Sequence, residues 1–98
     1  MDIKKATALI GFAIKSGKVI YGLDSVVKSS HIKLVVYDFT LSSSSQDKLK
    51  NYCQKKSLIC IKLESERLEY IVFKANCKLI GIVDRDFASA ISAFLQNN

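Results

Sequence analysis

Proline is absent from this chain of 98 residues, and glycine occurs only four times. With breakers this scarce and 49% of residues apolar, residues 1–98 read as one domain, able to bury a core without metal or disulfide staples. No apolar run approaches the roughly 18 residues a membrane-spanning helix needs. The charged start (Asp2, Lys4, Lys5) lacks the apolar core of a cleavable signal. A cytoplasmic protein without membrane contact is expected.

Chemistry-bearing residues are equally sparse. His31 is the single histidine, and no ligand spacing joins it to cysteines or carboxylates, so no metal site is expected. Cys53, Cys60 and Cys77 make an odd count with wide gaps, and read as reduced, mostly buried small hydrophobes. A Gly-x-Ser-x-Gly elbow is missing. Gly11 to Lys18 imitates a phosphate-binding P-loop, but five residues separate Gly11 from Gly17, and Val19 stands where a magnesium-binding hydroxyl is required. Asp84 and Asp86, like Glu64, Glu66 and Glu69, fall at expected helix starts, where carboxylates favour the dipole. The expectation is a protein without catalytic residues, cofactor or metal.

What is present is positive charge, a net +6. Residues 1–62 hold 11 Lys and Arg against 4 Asp and Glu, whereas residues 63–98 hold 4 against 5. A cationic surface in the first two thirds favours a polyanion, because each neutralised phosphate releases a condensed counterion.

Hydrophobic periodicity alternates between helix and strand. Ile3, Ala6, Ile10, Ala13 and Ile14 recur at steps of three and four on one helical face, which Gly17 can stop. Val19–Tyr21 reads as a short strand. A second helix opens at Gly22 and ends near Ser30, with Leu23, Val26 and Val27 inward. Ile32–Tyr37 is a buried strand closed by Asp38. Ser42–Ser45 reads as a loop and N-cap before a third helix, which carries Leu49, Tyr52 and Cys53 inside and Lys48, Lys50, Lys55 and Lys56 outside. Leu58–Ile61 is a strand, and a fourth helix from Glu64-Ser65 buries Leu68, Ile71 and Val72. The loop Lys74–Lys78 leads into the strand Leu79–Val83. Asp84 caps a last helix whose stripe is Phe87, Ile91, Phe94 and Leu95. This order predicts an α/β fold, a three-layer α/β/α sandwich around a mostly parallel or mixed four-stranded sheet. The aromatic residues fall mostly on inward stripes, which leaves no visible platform for stacking unpaired bases.

Three stretches carry a resemblance over essentially the whole chain. They are Leu9–Lys18 with Gly22 and Lys28 downstream, Lys33–Asp38, and Leu79–Ala88 (Leu-Ile-Gly-Ile-Val-Asp-Arg-Asp-Phe-Ala). Together they resemble the ribosomal L7Ae/L30e family, in particular its small bacterial L7Ae-like members. The resemblance implies an L30e-like fold that binds structured RNA, kink-turn-like or ribosomal, in the company of the ribosome or translation proteins. In such proteins a Gly-x-Asn-Glu-x-x-Lys stretch and the loop before the last strand contact the RNA. The matching positions here are Gly22, Leu23, Asp24, Ser25 and Lys28, with Lys74, Asn76 and Lys78 in the loop and Gly17 and Lys18 at the preceding turn. Asp24 replaces the amide and Ser25 the glutamate, and an ionised aspartate neither donates a hydrogen bond nor tolerates phosphate. At helix four, the family's Ser-Lys-x-x-Leu-Gly aligns with Glu64–Glu69, where only Leu68 is kept. The alternative left open is a protein-interaction module that kept the fold and lost kink-turn recognition.

Overall fold

In the computed structural model, which describes residues 1–96, the Asp2 carboxylate accepts the Lys5 N–H (3.1 Å) and opens helix α1, Ile3–Lys15. Its buried residues, Ala6, Ile10 and Ala13, are small or aliphatic and lie on one stripe. The helix closes as the periodicity requires. Gly17 takes a left-handed φ of 70°, and the N–H groups of Gly17 and Lys18 donate to the carbonyls of Ile14 and Ala13 (3.0 and 2.9 Å).

The remaining elements are β1 Val19–Tyr21, α2 Leu23–Lys28, β2 Leu34–Asp38, α3 Ser43–Lys56, β3 Ile59–Leu63, α4 Leu68–Val72, β4 Leu79–Ile82 and α5 Arg85–Gln96. The sheet order is β1-β4-β2-β3. Alternation along the strands decides the layers. Leu34, Val36, Ile61, Leu63, Ile80 and Ile82 pack toward α1, α4 and α5. Val35, Tyr37, Cys60 and Leu79 pack toward α2 and α3. The result is the expected three-layer α/β/α sandwich, with β2 and β4 buried along their whole length as central strands.

The sheet is mixed. Only β2 and β3 run parallel, joined through the 14-residue α3; β4 is antiparallel to both of its neighbours, β1 and β2. The arrangement is not mostly parallel: the β3–β4 connection, with the five-residue α4 in it, keeps the chain at the end of the sheet where β3 stops. β4 therefore starts where β3 ends.

Several local expectations shift. The serines divide between cap and helix: Ser42 accepts the Ser45 N–H (3.3 Å), and Ser43–Ser45 already form the first turn of α3. Val27 is 40% exposed, since the six-residue α2 fully buries only Val26. β3 runs on to Leu63 because it stays in register with β2 as far as Asp38. α4 begins at Leu68, not at Glu64-Ser65, because its starting N–H is satisfied from elsewhere in the chain. Arg67, at the cap position, makes no side-chain cap. The Leu68 N–H instead donates to the Asp38 carboxylate (2.7 Å), whose other oxygen accepts the Thr40 N–H (2.9 Å) and the Thr40 hydroxyl.

Asp38 is 1% exposed, so removing its carboxylate leaves buried donors without partners. Asp38→Ala is expected to lower stability by about 3 kcal/mol, and Asp38→Asn by less, because one acceptor oxygen remains. Urea unfolding checks this; the midpoint falls at unchanged slope.

Candidate nucleic-acid interface

β1 ends on Tyr21, paired with Ile80 of β4, and the next residue must turn the chain off the sheet. Gly22 does so at φ 87°, ψ 155°, a region essentially restricted to glycine. Its N–H donates to the Leu79 carbonyl (3.2 Å), and its carbonyl accepts the Val26 N–H (3.0 Å), so the one residue ends the strand and starts α2.

The facing wall is the loop after α4. Phe73 ends the helix in the left-handed conformation, the Lys74 N–H returns to the Glu69 carbonyl (3.1 Å), and Asn76 is also left-handed at φ 63°. The Glu69 carboxylate accepts the Asn76 N–H (3.1 Å), and the Cys77 N–H donates to the Lys74 carbonyl (3.2 Å). The Lys78 carbonyl accepts the Asp38 N–H (3.0 Å), which ties the loop to the end of β2. Two tight turns thus present Lys74, Asn76 and Lys78 side by side on an exposed rim.

Between these walls lies an open depression of about 210 Å³, lined by Tyr21, Gly22 and the run Lys74–Leu79. The Lys74 ammonium sits over the Tyr21 ring, 5.1 Å from its centre, a contact that anchors the lysine at the groove. Burial, then the nearby Cys77 thiol, push the Tyr21 hydroxyl above its ordinary value, and burial also raises Cys77. Both stay protonated at neutral pH, so neither adds negative charge here.

Ten sequence-selected residues separate into three places. Gly22, Lys74, Asn76 and Lys78 come together around the depression, with Leu23, Asp24 and Ser25 beside them in the first turn of α2. Leu23 is half-buried and packs inward; Asp24 and Ser25 are exposed. Lys28 closes the other end of α2, about 9 Å along its axis. Gly17 and Lys18 lie at the opposite end of β1, where the Lys18 carbonyl accepts the Val83 N–H (2.9 Å). They belong to a different edge of the molecule from the Lys74–Lys78 loop.

Other candidates take structural places. The Asp84 carboxylate accepts the Phe87 N–H (2.8 Å) as a cap, and exposed His31 donates its N–H to Ser29 Oγ (3.1 Å). All three cysteines are free, with Cys53 and Cys77 buried and Cys60 half-buried. Among the described residues, no group of three or more His, Cys, Asp or Glu could hold a metal ion, and no helix is long and apolar enough to cross a membrane.

Two aromatic residues at this end were not anticipated. Tyr37, Tyr52, Tyr21, Phe87 and Phe94 pack into the core. Phe12, Phe39, Tyr70 and Phe73 do not, being 57%, 40%, 67% and 92% exposed. Tyr70 and Phe73 adjoin Lys74. Their spacing of three, off the Leu68-Ile71-Val72 stripe, was the signal in the sequence.

No protein-family model matches the chain, and no curated protein matches it either. Among solved structures, a protein with unknown function from Bacillus halodurans C has a TM-score of 0.88 at 21% sequence identity, over 95% of this chain and 98% of that one. The likeness establishes a shared fold.

Gly22 and Gly11 make a matched test of the turn, because a Cβ at either would meet nothing within 4 Å. Gly22→Ala is expected to cost about 1–3 kcal/mol from its backbone conformation alone. Gly11→Ala, inside α1, is expected to stabilise by about 0.5–1 kcal/mol. Thermal melts of the two variants should move in opposite directions.

Proposed function

We propose that this chain is a noncatalytic RNA-binding protein of the cytoplasm, gripping structured RNA, kink-turn-like or ribosomal, in association with the ribosome or translation. The observation that carries this reading is the convergence of Gly22 with Lys74, Asn76 and Lys78, two stretches about fifty residues apart, around one open depression. These are the two stretches that the L7Ae/L30e resemblance implicates.

Physical chemistry supports the same reading. An exposed rim with two lysines and an amide offers charge and hydrogen bonds to a phosphate backbone, which fix register without reading sequence. Asp24, exposed at the α2 side, works against phosphate there. The backbone is therefore assigned to the Lys74 and Lys78 side of the groove. This asymmetry sets the chain apart from a site with an amide at that position.

Binding to ribosomal RNA fragments or kink-turn RNA should weaken steeply with salt, and Lys74→Ala and Lys78→Ala should each reduce the slope of log K against log salt by about 1. Asp24→Asn should strengthen binding at low salt. Filter binding across a salt series measures all three. Absence of affinity for both RNAs at low salt would refute the proposal and leave the protein-interaction module, which exposed Phe12 on α1 favours.

A further inference from the structure

The end of the molecule opposite the groove holds most of the chain's net charge. There α1 closes on Lys15, α2 on Lys28 and α3 on Lys55 and Lys56, while Lys18 leads into β1, Lys33 leads into β2 and Arg85 opens α5. Of the nine Asp and Glu, only Asp84 and Asp86 lie at this end. Seven cations against two acids leave +5 of the overall +6 here, and Asp84 is already engaged as the cap of α5. The groove end, with the other seven acids, is close to neutral.

Helix dipoles explain part of this. A lysine in a last turn meets the negative end of its helix, which accounts for Lys15, Lys28, Lys55 and Lys56 one at a time. Arg85 is the exception. It stands at the positive end of the twelve-residue α5, where a cation is disfavoured. Among the described residues the ion pairs join Lys5 to Asp2 and Lys62 to Glu64, so no cation of this end is neutralised by one.

The backbone gathers three of these cations around two abutting hollows. The Lys33 N–H donates to the Ile82 carbonyl (2.7 Å), which seats Lys33 beside the end of β4 and the start of α5. Ser57, left-handed at φ 55°, and the Leu58 N–H, bonded to the Cys53 carbonyl (2.9 Å), turn α3 into β3 and set Lys56 on the other flank. One hollow of about 300 Å³ is bordered by Lys33, Arg85 and Ser89, and a second of about 300 Å³ by Lys33, Lys56 and Ser30, all five of them exposed. Among the described residues, neither lining contains a carboxylate.

The donor chemistry selects the anion. Carboxylates of an acidic peptide are held best by the forked guanidinium, of which this end has one, whereas phosphate oxygens take lysine point charges and serine hydroxyls. We infer that Lys33, Lys56 and Arg85 form a second nucleic-acid face, a phosphate-backbone contact at the other end of the sheet from the groove of Gly22, Lys74 and Lys78. The face rests on the charge distribution; that its polyanion is RNA rests on the RNA-binding reading. Strands of five residues span about 17 Å, so the two faces meet separate stretches of RNA, which the chain bridges.

The test starts from the full chain carrying Lys74→Ala and Lys78→Ala, which disables the groove, and from an unkinked RNA duplex of about 20 base pairs, a probe of backbone contact alone. Filter binding over a salt series should show residual binding. Adding Lys33→Gln, Lys56→Gln and Arg85→Gln should lower the slope of log K against log salt by about 3 and weaken binding at low salt more than about tenfold. Lys4→Gln, Lys48→Gln and Lys50→Gln remove the same charge elsewhere and should change the slope by less than about 1. Thermal midpoints of both sets should match the starting protein. An equal loss of slope in the two sets assigns binding to net charge and overturns the face. Absence of duplex binding by the groove variant also overturns it, and the groove reading survives if the parent still binds kink-turn RNA; if the parent binds neither RNA, both fall. Loss of duplex binding through Lys33, Lys56 and Arg85 alone, with Lys74 and Lys78 without effect on kink-turn or ribosomal RNA, upholds the face and overturns the groove. Polyglutamate at matched charge concentration should leave the duplex bound; displacement gives the face to an acidic protein instead.

Discussion

The Asp38 carboxylate, buried at the end of a central strand, organises the end of the molecule where the candidate interface lies. One oxygen takes the first N–H of α4, and the other holds Thr40 at the turn out of β2. The backbone N–H of the same residue donates to the Lys78 carbonyl. The turn out of β2, the start of α4 and the loop before β4 thus meet on one side chain and its peptide group. In a buried setting such bonds are costly to lose, because the partners have no water to turn to.

Everything on the loop wall of the groove follows from where α4 begins. With Leu68 pinned, a helix of five residues must end at Val72, and Phe73 then reverses the chain in the left-handed conformation. Glu69, in the first turn of this helix, reaches forward to the Asn76 amide. A single turn of helix is weak in isolation, since nucleation is unfavourable and few bonds repay it. It persists here because its start is fixed by Asp38 and its buried residues, Leu68 and Val72, belong to the core shared with α1 and α5. The lysines of the rim are thereby presented from a turn braced at both ends. The aromatic pair on the outer side of α4 is presented by the same device.

The groove's two walls also differ in charge for a structural reason. Lys74 lies over Tyr21, whose half-buried ring carries a hydroxyl that stays neutral, so the cation is held at the groove without an acidic partner there. Asp24, on the opposite wall, occupies the first turn of α2, where a carboxylate favours the helix dipole. The side chain that helps α2 start is the one that disfavours phosphate on that wall. Stability of the short helix and breadth of the cationic surface pull in opposite directions at this position.

Much of the fold was legible in the sequence because it rests on local rules. The three-residue and four-residue steps in α1 and α5, the unbroken apolar runs of β2 and β4, and Gly17 after α1 each act within a few residues, and the elements came in the expected order. The strands' period of two puts alternate residues on opposite faces, but which helices cover each face came only with the tertiary structure. Part of the candidate site was legible too: Gly22 marks a helix start by its residue type, while the Lys74–Lys78 loop was singled out by the L7Ae/L30e resemblance. Only tertiary structure decided the rest. The start of α4 depends on a carboxylate thirty positions upstream, the antiparallel run of β4 on its pairing between β1 and β2, and the separation of Gly17 and Lys18 from Gly22 on the pairing of β1 with β4. Phe73 is the clearest case. Its hydrophobicity alone suggests an inward ring, but a helix whose start is set by the distant Asp38 ends with that ring in solvent.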